Sequence, residues 1–443
     1  MAQQLDDRPQ QARQCYEGGN YEEAGRLYHQ LWDERGDAFS GGRYACCLRK
    51  CGHAQAALSV ARQVAEKHPG DIYVRREVIW ALYDAEFKPA KERGDLGALI
   101  RIGQQIVDLT DDELPVNLVS FAVIGLAKDK MKWDVVSAWC DHVDRQKLSA
   151  EPREMDGRRV ISEREQWYFA KVKSLVQLKQ WEQARSLAME ALQAFPRKRD
   201  FARWAAQALA GQGHVPEAIA ELETLAQTGQ PEWYLLNDLA ELKKQSGQSE
   251  EAYCIACQAA LAFGEDKAKV GLFVLIGQIA LELQQFEVAA RHAALARLVR
   301  VREGWSVSGE VGRLESKART AYEQAAASPL NLPDEIPALA ALCRKDWERA
   351  VPPELRPQPK EKRTPRPRPE TDGALHTGRI KMYNADKGFG FITADDGTGD
   401  IFFHISSVRG IESPAPEMAV QYQVGEGRKG PAAVNVRAAP REK

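Results

Sequence analysis

Lys387-Gly388-Phe389-Gly390-Phe391-Ile392 and, nine residues on, Ile401-Phe402-Phe403-His404-Ile405 hold the residue types of this chain best suited to chemistry. Side chains two apart on a strand share one face. Phe389 and Phe391 therefore stand together, and so do Phe402 and His404, while Ile401 and Phe403 point the other way as a core face. The glycines beside Phe389 and Phe391 leave those rings unshielded. Rings on an open strand surface, with Lys381, Lys387 and Lys429 nearby, suit single-stranded nucleic acid: bases stack on the rings and lysines hold phosphates.

Other chemistries find less support. The eight cysteines, at 15, 46, 47, 51, 140, 254, 257 and 343, are expected to be free thiols in a long chain. Cys254-x-x-Cys257 has no second pair behind it, and Cys46, Cys47, Cys51 and His53 form only a loose cluster. Neither supplies four ligands at zinc spacing, so no metal or other cofactor is expected. No phosphate-binding Gly-x-x-x-x-Gly-Lys loop and no Gly-x-Ser-x-Gly elbow occurs, and the chain is not expected to be an enzyme.

The aromatic runs need strands to carry them. From about residue 376 onward, Gly, Phe, Ile and Val alternate, with turn residues between. Lys387–Ala394 nearly matches an RNA-recognition-motif signature, but the order of the two aromatic runs is reversed and no helical segment separates them. The run Thr377–Ile392 (TGRIKMYNADKGFGFI), with Asp400–Ser406 and the closing Lys429–Val436, resembles a cold-shock domain instead. The resemblance covers about 65 residues. It implies a five-stranded oligonucleotide-binding barrel, with base stacking on Tyr383, Phe389, Phe391, Phe402 and His404, and Lys381 and Lys387 near phosphates. Two departures imply weaker binding than is usual in that family: Met382 stands where a Trp is usual, and Ile405 where an aromatic is.

Residues 1–350 are of another kind, rich in Ala, Leu, Glu, Gln and Arg, which are mostly helix formers. A phrase recurs there: Trp181, Ala184, Ala188, Ala191; Val215, Ala218, Leu222, Leu225; Ser249, Ala252, Ala256, Ala259. Ala184, Ala218 and Ala252 are spaced by 34 residues. Earlier copies begin at Tyr21 and Ala54, a stretched copy at Phe286, and weaker ones lie around Leu96–Gly103 and Trp133–Cys140. Spacings of three and four put these residues on one helix face, and one helical pair cannot bury such a stripe alone. The pattern resembles the tetratricopeptide repeat family over roughly residues 5–320, which implies a superhelix whose concave face takes a protein or peptide ligand. Gly41 and Ala202 stand where that family usually has a large aromatic. Two basic clusters, Arg197-Lys198-Arg199 with Arg203 and Arg291, Arg297, Arg300 and Arg302, fit solvated helix faces better than phosphate sites.

Between the two parts, seven of the eighteen residues from Pro352 to Pro369 are proline, interleaved with Lys360, Lys362, Arg363, Arg366 and Arg368. Proline locks φ and removes a donor, so an extended basic linker is expected. The expected organisation is multi-domain: an all-α helical-repeat solenoid over 1–350, a linker over 351–375, and an all-β five-stranded OB-fold barrel over 376–443. The first 350 residues hold 46 basic and 51 acidic side chains, and the whole chain 61 and 63. A wholly basic nucleic-acid coat protein is thereby excluded. No run of 18 apolar residues suggests a membrane span, and the first residues hold no apolar signal core, so a cytoplasmic location is expected. The function expected is a non-enzymatic adaptor, stress-linked by resemblance, that binds single-stranded RNA or DNA, RNA before DNA, and a protein or peptide partner. The alternative is a structural scaffold of a multi-protein complex with weak or no nucleic-acid binding.

Overall fold

The computed structural model describes residues 7–155, 158–307, 309–326, 328–356, 374–384, 388–411, 414–427 and 430–439. Two compact units divide the chain, Met1–Arg356 and Pro357–Lys443. Most of the expected linker, residues 357–373, lies outside the described residues.

The first unit is an array of antiparallel helix pairs. Its most regular stretch pairs Glu163–Gln177 with Trp181–Ala194, Arg199–Gly211 with Val215–Gln227, Trp233–Gln245 with Ser249–Leu261, and Val270–Glu282 with Phe286–Arg302. Local chemistry starts these helices. Asp37, Asp71, Asp95 and Ser162 each accept a backbone N–H of the first turn, supplying an acceptor to donors that have none within the helix. The repeated alanines Ala184, Ala218 and Ala252 are all fully buried. Their small size lets neighbouring helices close up, and Gly211 shows how tightly: a Cβ there would lie 2.3 Å from the Trp181 ring. Gly41 is explained in the same way. Its missing side chain leaves room for the Trp32 ring, which a Cβ would meet at 2.7 Å, so the aromatic comes from the preceding helix, Tyr21–Arg35.

The repeat is faint over 72–160 because the pairs there are irregular. Helix Ile72–Leu82 runs into a wider π-helical turn, Tyr83–Phe87, and then the short helix Lys88–Glu92. After Trp133–Cys140 comes a two-stranded hairpin, β1 (Arg153–Met155) and β2 (Arg158–Val160), which the sequence pattern did not suggest. At the far end, helix Ile336–Ala350 folds back on Ser249–Leu261 and Phe286–Arg302. Trp347 stacks on Phe273 and donates its indole N–H to His292 Nε2 at 2.7 Å. The other ring nitrogen of His292 lies 2.8 Å from the Val288 carbonyl, so Nδ1 donates there and the imidazole is neutral. Burial pushes its pKa down to about 4.

The basic clusters are mostly consumed within the array. Lys198 pairs with Glu165, Arg199 with Glu232, Arg203 with Asp238, Arg291 with Asp346 and Arg297 with Glu315. The cysteines are free; Cys46, Cys47, Cys140, Cys257 and Cys343 are buried, and burial raises their thiol pKa. No group of three metal-binding side chains occurs among the described residues, and none of the described helices is long and apolar enough to cross a membrane.

The second unit is a closed barrel of five strands: β3 (His376–Asn384), β4 (Phe389–Ala394), β5 (Asp400–His404), β6 (Ala419–Gly427) and β7 (Gly430–Ala438), in the order β3-β4-β5-β7-β6. The pairs are antiparallel except β5 with β7. Ile380, Ile392, Phe403, Val420, Tyr422 and Val436 fill the interior. Closure leaves no open sheet edge.

Candidate nucleic-acid interface

Strands β3, β4 and β5 present a small lattice of side chains. Cross-strand register sets Asn384 beside Phe389 and Phe389 beside His404, then Met382 beside Phe391 and Phe391 beside Phe402. Thr393 and Asp400 pair in the next row. Because alternate residues share a face, all of these lie outward while Gly390, Ile392 and Phe403 lie inward. The inward row has no room to spare: a Cβ on Gly390 would meet the Phe403 ring at 2.5 Å. Gly388, in left-handed conformation at φ 65°, turns the chain into β4 and donates to the Asn384 carbonyl at 2.9 Å.

The three phenylalanines form one aromatic cluster. Phe389 stacks on Phe402 with ring centroids 5.9 Å apart, and Phe391 meets Phe402 edge to face at 5.8 Å and Phe389 at 6.4 Å. Phe402 remains 39 % exposed and Met382 42 % exposed, while Phe389 and Phe391 are half-buried and His404 is exposed. Apolar groups held open beside one another form a surface that a planar partner can cover.

Tyr383 is placed apart from the three phenylalanines. It does not join this face; its ring stacks on Phe403, 6.0 Å away and 13° from parallel, at the edge of the core. The cause is a bulge in β3 between Ile380 and Met382, where Lys381 is the extra residue. An extra residue flips the alternation beyond it, so Met382 turns outward and Tyr383 inward. Lys381 is at the surface, but its ammonium already meets Asp400 at 2.6 Å, and Asp400 also accepts from Thr393 at 2.7 Å. These two contacts hold the Asp400 carboxyl below the usual carboxylate range. Lys387 and Lys429 lie outside the described residues. Thr393 and Asp400 are face residues that the sequence reading missed. The signal was there, since each lies two positions from a face phenylalanine.

A closed five-stranded barrel with an aromatic patch on adjoining strands defines an oligonucleotide-binding barrel. Residues 376–439 match the family described as the 'Cold-shock' DNA-binding domain. The cold shock-like protein CspC of Shigella flexneri is 46% identical over 63 residues, which is 14% of this chain and 91% of that protein. A cold shock protein of Arthrobacter globiformis is 46% identical over 61 residues, 13% of this chain and 91% of its own. Through this segment the chain belongs to the cold-shock domain family. Solved structures similar to the helical part include a tetratricopeptide repeat protein from Parabacteroides merdae, at 11% identity, TM-score 0.27, and coverage of 72% of this chain and 99% of that one. Another is the TPR2AB-domain:pHSP90 complex of yeast Sti1, at 15% identity, TM-score 0.26, and coverage of 71% and 97%.

Proposed function

We propose that this protein is a non-enzymatic adaptor whose barrel binds single-stranded nucleic acid and whose helical array binds a protein or peptide. The observation that carries the reading is the Phe389–Phe391–Phe402 cluster on the outer face of the barrel. Stacking on such rings tolerates any base, because every base has a π-face. The site residues proposed are Phe389, Phe391, Phe402 and His404 for bases, with Lys381, Lys387 and Lys429 for phosphates. Lys381 contributes only after exchanging Asp400 for a phosphate oxygen. Single-stranded RNA is proposed over DNA, in a cytoplasmic, stress-linked role that follows the character of the cold-shock relatives. Domain limits of 1–350, 351–375 and 376–443 belong to the same proposal.

Two observations favour the scaffold alternative, in which nucleic-acid binding is weak. Met382 offers no ring opposite Phe391, and Lys381 is already neutralised by Asp400. The test is copurification. The adaptor reading expects nucleic acid to accompany the full chain and to be absent from a chain ending at Ala350. Matched RNA and DNA oligonucleotides then decide the sugar preference. Clean full-length protein that binds neither oligonucleotide leaves the scaffold.

A further inference from the structure

Neighbouring helices of the array run antiparallel, so the first helices of successive pairs all start along one edge. Large apolar side chains that are exposed gather on that edge. Ile72 and Tyr73 open helix Ile72–Leu82 and are 72 % and 81 % exposed; Leu114, in the first turn of helix Glu113–Asp129, is 68 % exposed. Phe39, in the first turn of helix Ala38–Lys50, continues the series at 60 %. Where first helices hand over to second ones, among the described turns, Met131 is the one large exposed apolar residue. Between helices Ile72–Leu82 and Glu113–Asp129 lies a cavity of about 440 Å³ lined by Ile79, Trp80, Leu114 and Pro115 together with Arg76, Asp112 and Glu113. Leu114 lines the cavity and the other exposed groups stand at neighbouring helix starts of the same edge, and exposed apolar groups beside a cavity mark an interaction site.

The rim states what kind of partner fits. Arg76, Asp112 and Glu113 line the cavity and Lys147 reaches Glu113, and the adjoining sequence positions add Asp71, Asp108 and Asp111 against Arg75. Arg76 is paired with Asp112 and Lys147 with Glu113, while Asp71 caps its helix by accepting the Tyr73 and Val74 N–H groups. The remaining charge is acidic, in keeping with 51 acidic against 46 basic residues over the first 350. An acidic rim repels a nucleic-acid backbone and attracts a basic peptide.

We infer that this edge of the array is a docking site for an amphipathic protein segment with an apolar anchor and basic flanks, the anchor entering the cavity beside Trp80 and Leu114. The inference rests on the reading that the repeats bind protein, and moves the contact from the concave face to the edge.

The test uses the full chain and a labelled eighteen-residue peptide, leucine on one helical face and lysine on the other, with a glutamate-for-lysine version as control. Tyr73→Asp combined with Leu114→Asp is the decisive variant; both side chains are exposed, so the fold should tolerate it. The expected result is that the lysine peptide binds, the glutamate peptide binds at least tenfold more weakly, and the variant loses at least tenfold in affinity. Hydrogen exchange should show protection at the starts of helices Ile72–Leu82 and Glu113–Asp129, with unchanged oligonucleotide affinity at the barrel. Equal binding by the variant, with protection elsewhere on the array, overturns the edge while leaving a protein-binding array. No peptide binding overturns the inference, as does concentration-dependent self-association lost in the variant, or an oligonucleotide that protects these same helix starts.

Discussion

Phe402 touches both other rings of the face, and Met382 stands opposite Phe391 with room above it. A ring added at Met382 would extend the cluster by one stacking position. Met382→Trp is therefore expected to tighten binding of a pyrimidine-rich single strand about tenfold, since a stacked base contributes about 1–3 kcal/mol. Anisotropy of a labelled oligonucleotide, titrated with the variant and with the unaltered protein, measures it, because the barrel itself holds no natural tryptophan to report binding. Unchanged affinity would mean that the strand does not pass over the β3 side of the face. Tyr383 behaves oppositely. Packed on Phe403, it should cost about 2 kcal/mol of barrel stability when changed to Ala. Its effect on affinity, measured where the variant is still folded, should be small.

Elements decide where such side chains point, and here sequence legibility was uneven. The alternation of β4 and β5 was plain in Phe389-Gly390-Phe391-Ile392 and Ile401-Phe402-Phe403, because neither strand carries an insertion relative to its partner. The face of β3 beyond Ile380 could not be read from alternation, since a bulge leaves no composition mark when the inserted residue is a lysine. Among the helices, the buried faces of the 34-residue phrases could be read directly, Ala184, Ala218 and Ala252 being fully buried. The π-helical turn at Tyr83–Phe87 and the return of helix Ile336–Ala350 depend on contacts between distant residues, and no local spacing reports them. Close helix contact can be tested by a pair of glycines. Gly211→Ala drives a methyl into the Trp181 ring and should cost about 1–3 kcal/mol. Gly125→Ala, in a helix interior with nothing within 4 Å, should stabilise by about 0.5–1 kcal/mol. Thermal unfolding of both variants checks the sign. The return helix brings a pH dependence. His292 has its pKa lowered from 6.5 to about 4 by burial, so the unfolded chain binds its proton first. Stability from this group is complete above about pH 6.5 and declines as the pH falls toward 4. The melting temperature of the array should fall by a few degrees across that window, and less in His292→Gln.

At the scale of the whole molecule, the barrel segment 376–443 holds nine basic and eight acidic residues, and one of its lysines is neutralised by Asp400. That leaves little net charge to add to Lys387 and Lys429, and the segment before the barrel offers Lys360, Lys362, Arg363, Arg366 and Arg368 as further phosphate contacts. Each phosphate contact on a single strand adds roughly −0.7 to the slope of log affinity against log salt. Changing these five residues to Gln in the full chain is expected to flatten that slope and weaken binding at low salt. Equal slopes would reduce the segment to a tether.

The central claim, that the outer face of β3, β4 and β5 holds single-stranded nucleic acid by stacking, is tested most directly by one affinity comparison. Full-length protein and its Phe389→Ala, Phe402→Ala variant are titrated with a labelled pyrimidine-rich heptanucleotide at one salt concentration, with folding of the barrel confirmed by NMR. Loss of two stacking positions at about 1–3 kcal/mol each predicts a weakening of roughly thirtyfold or more. A folded variant that binds within twofold of the unaltered protein would contradict the account and place the nucleic acid off this face.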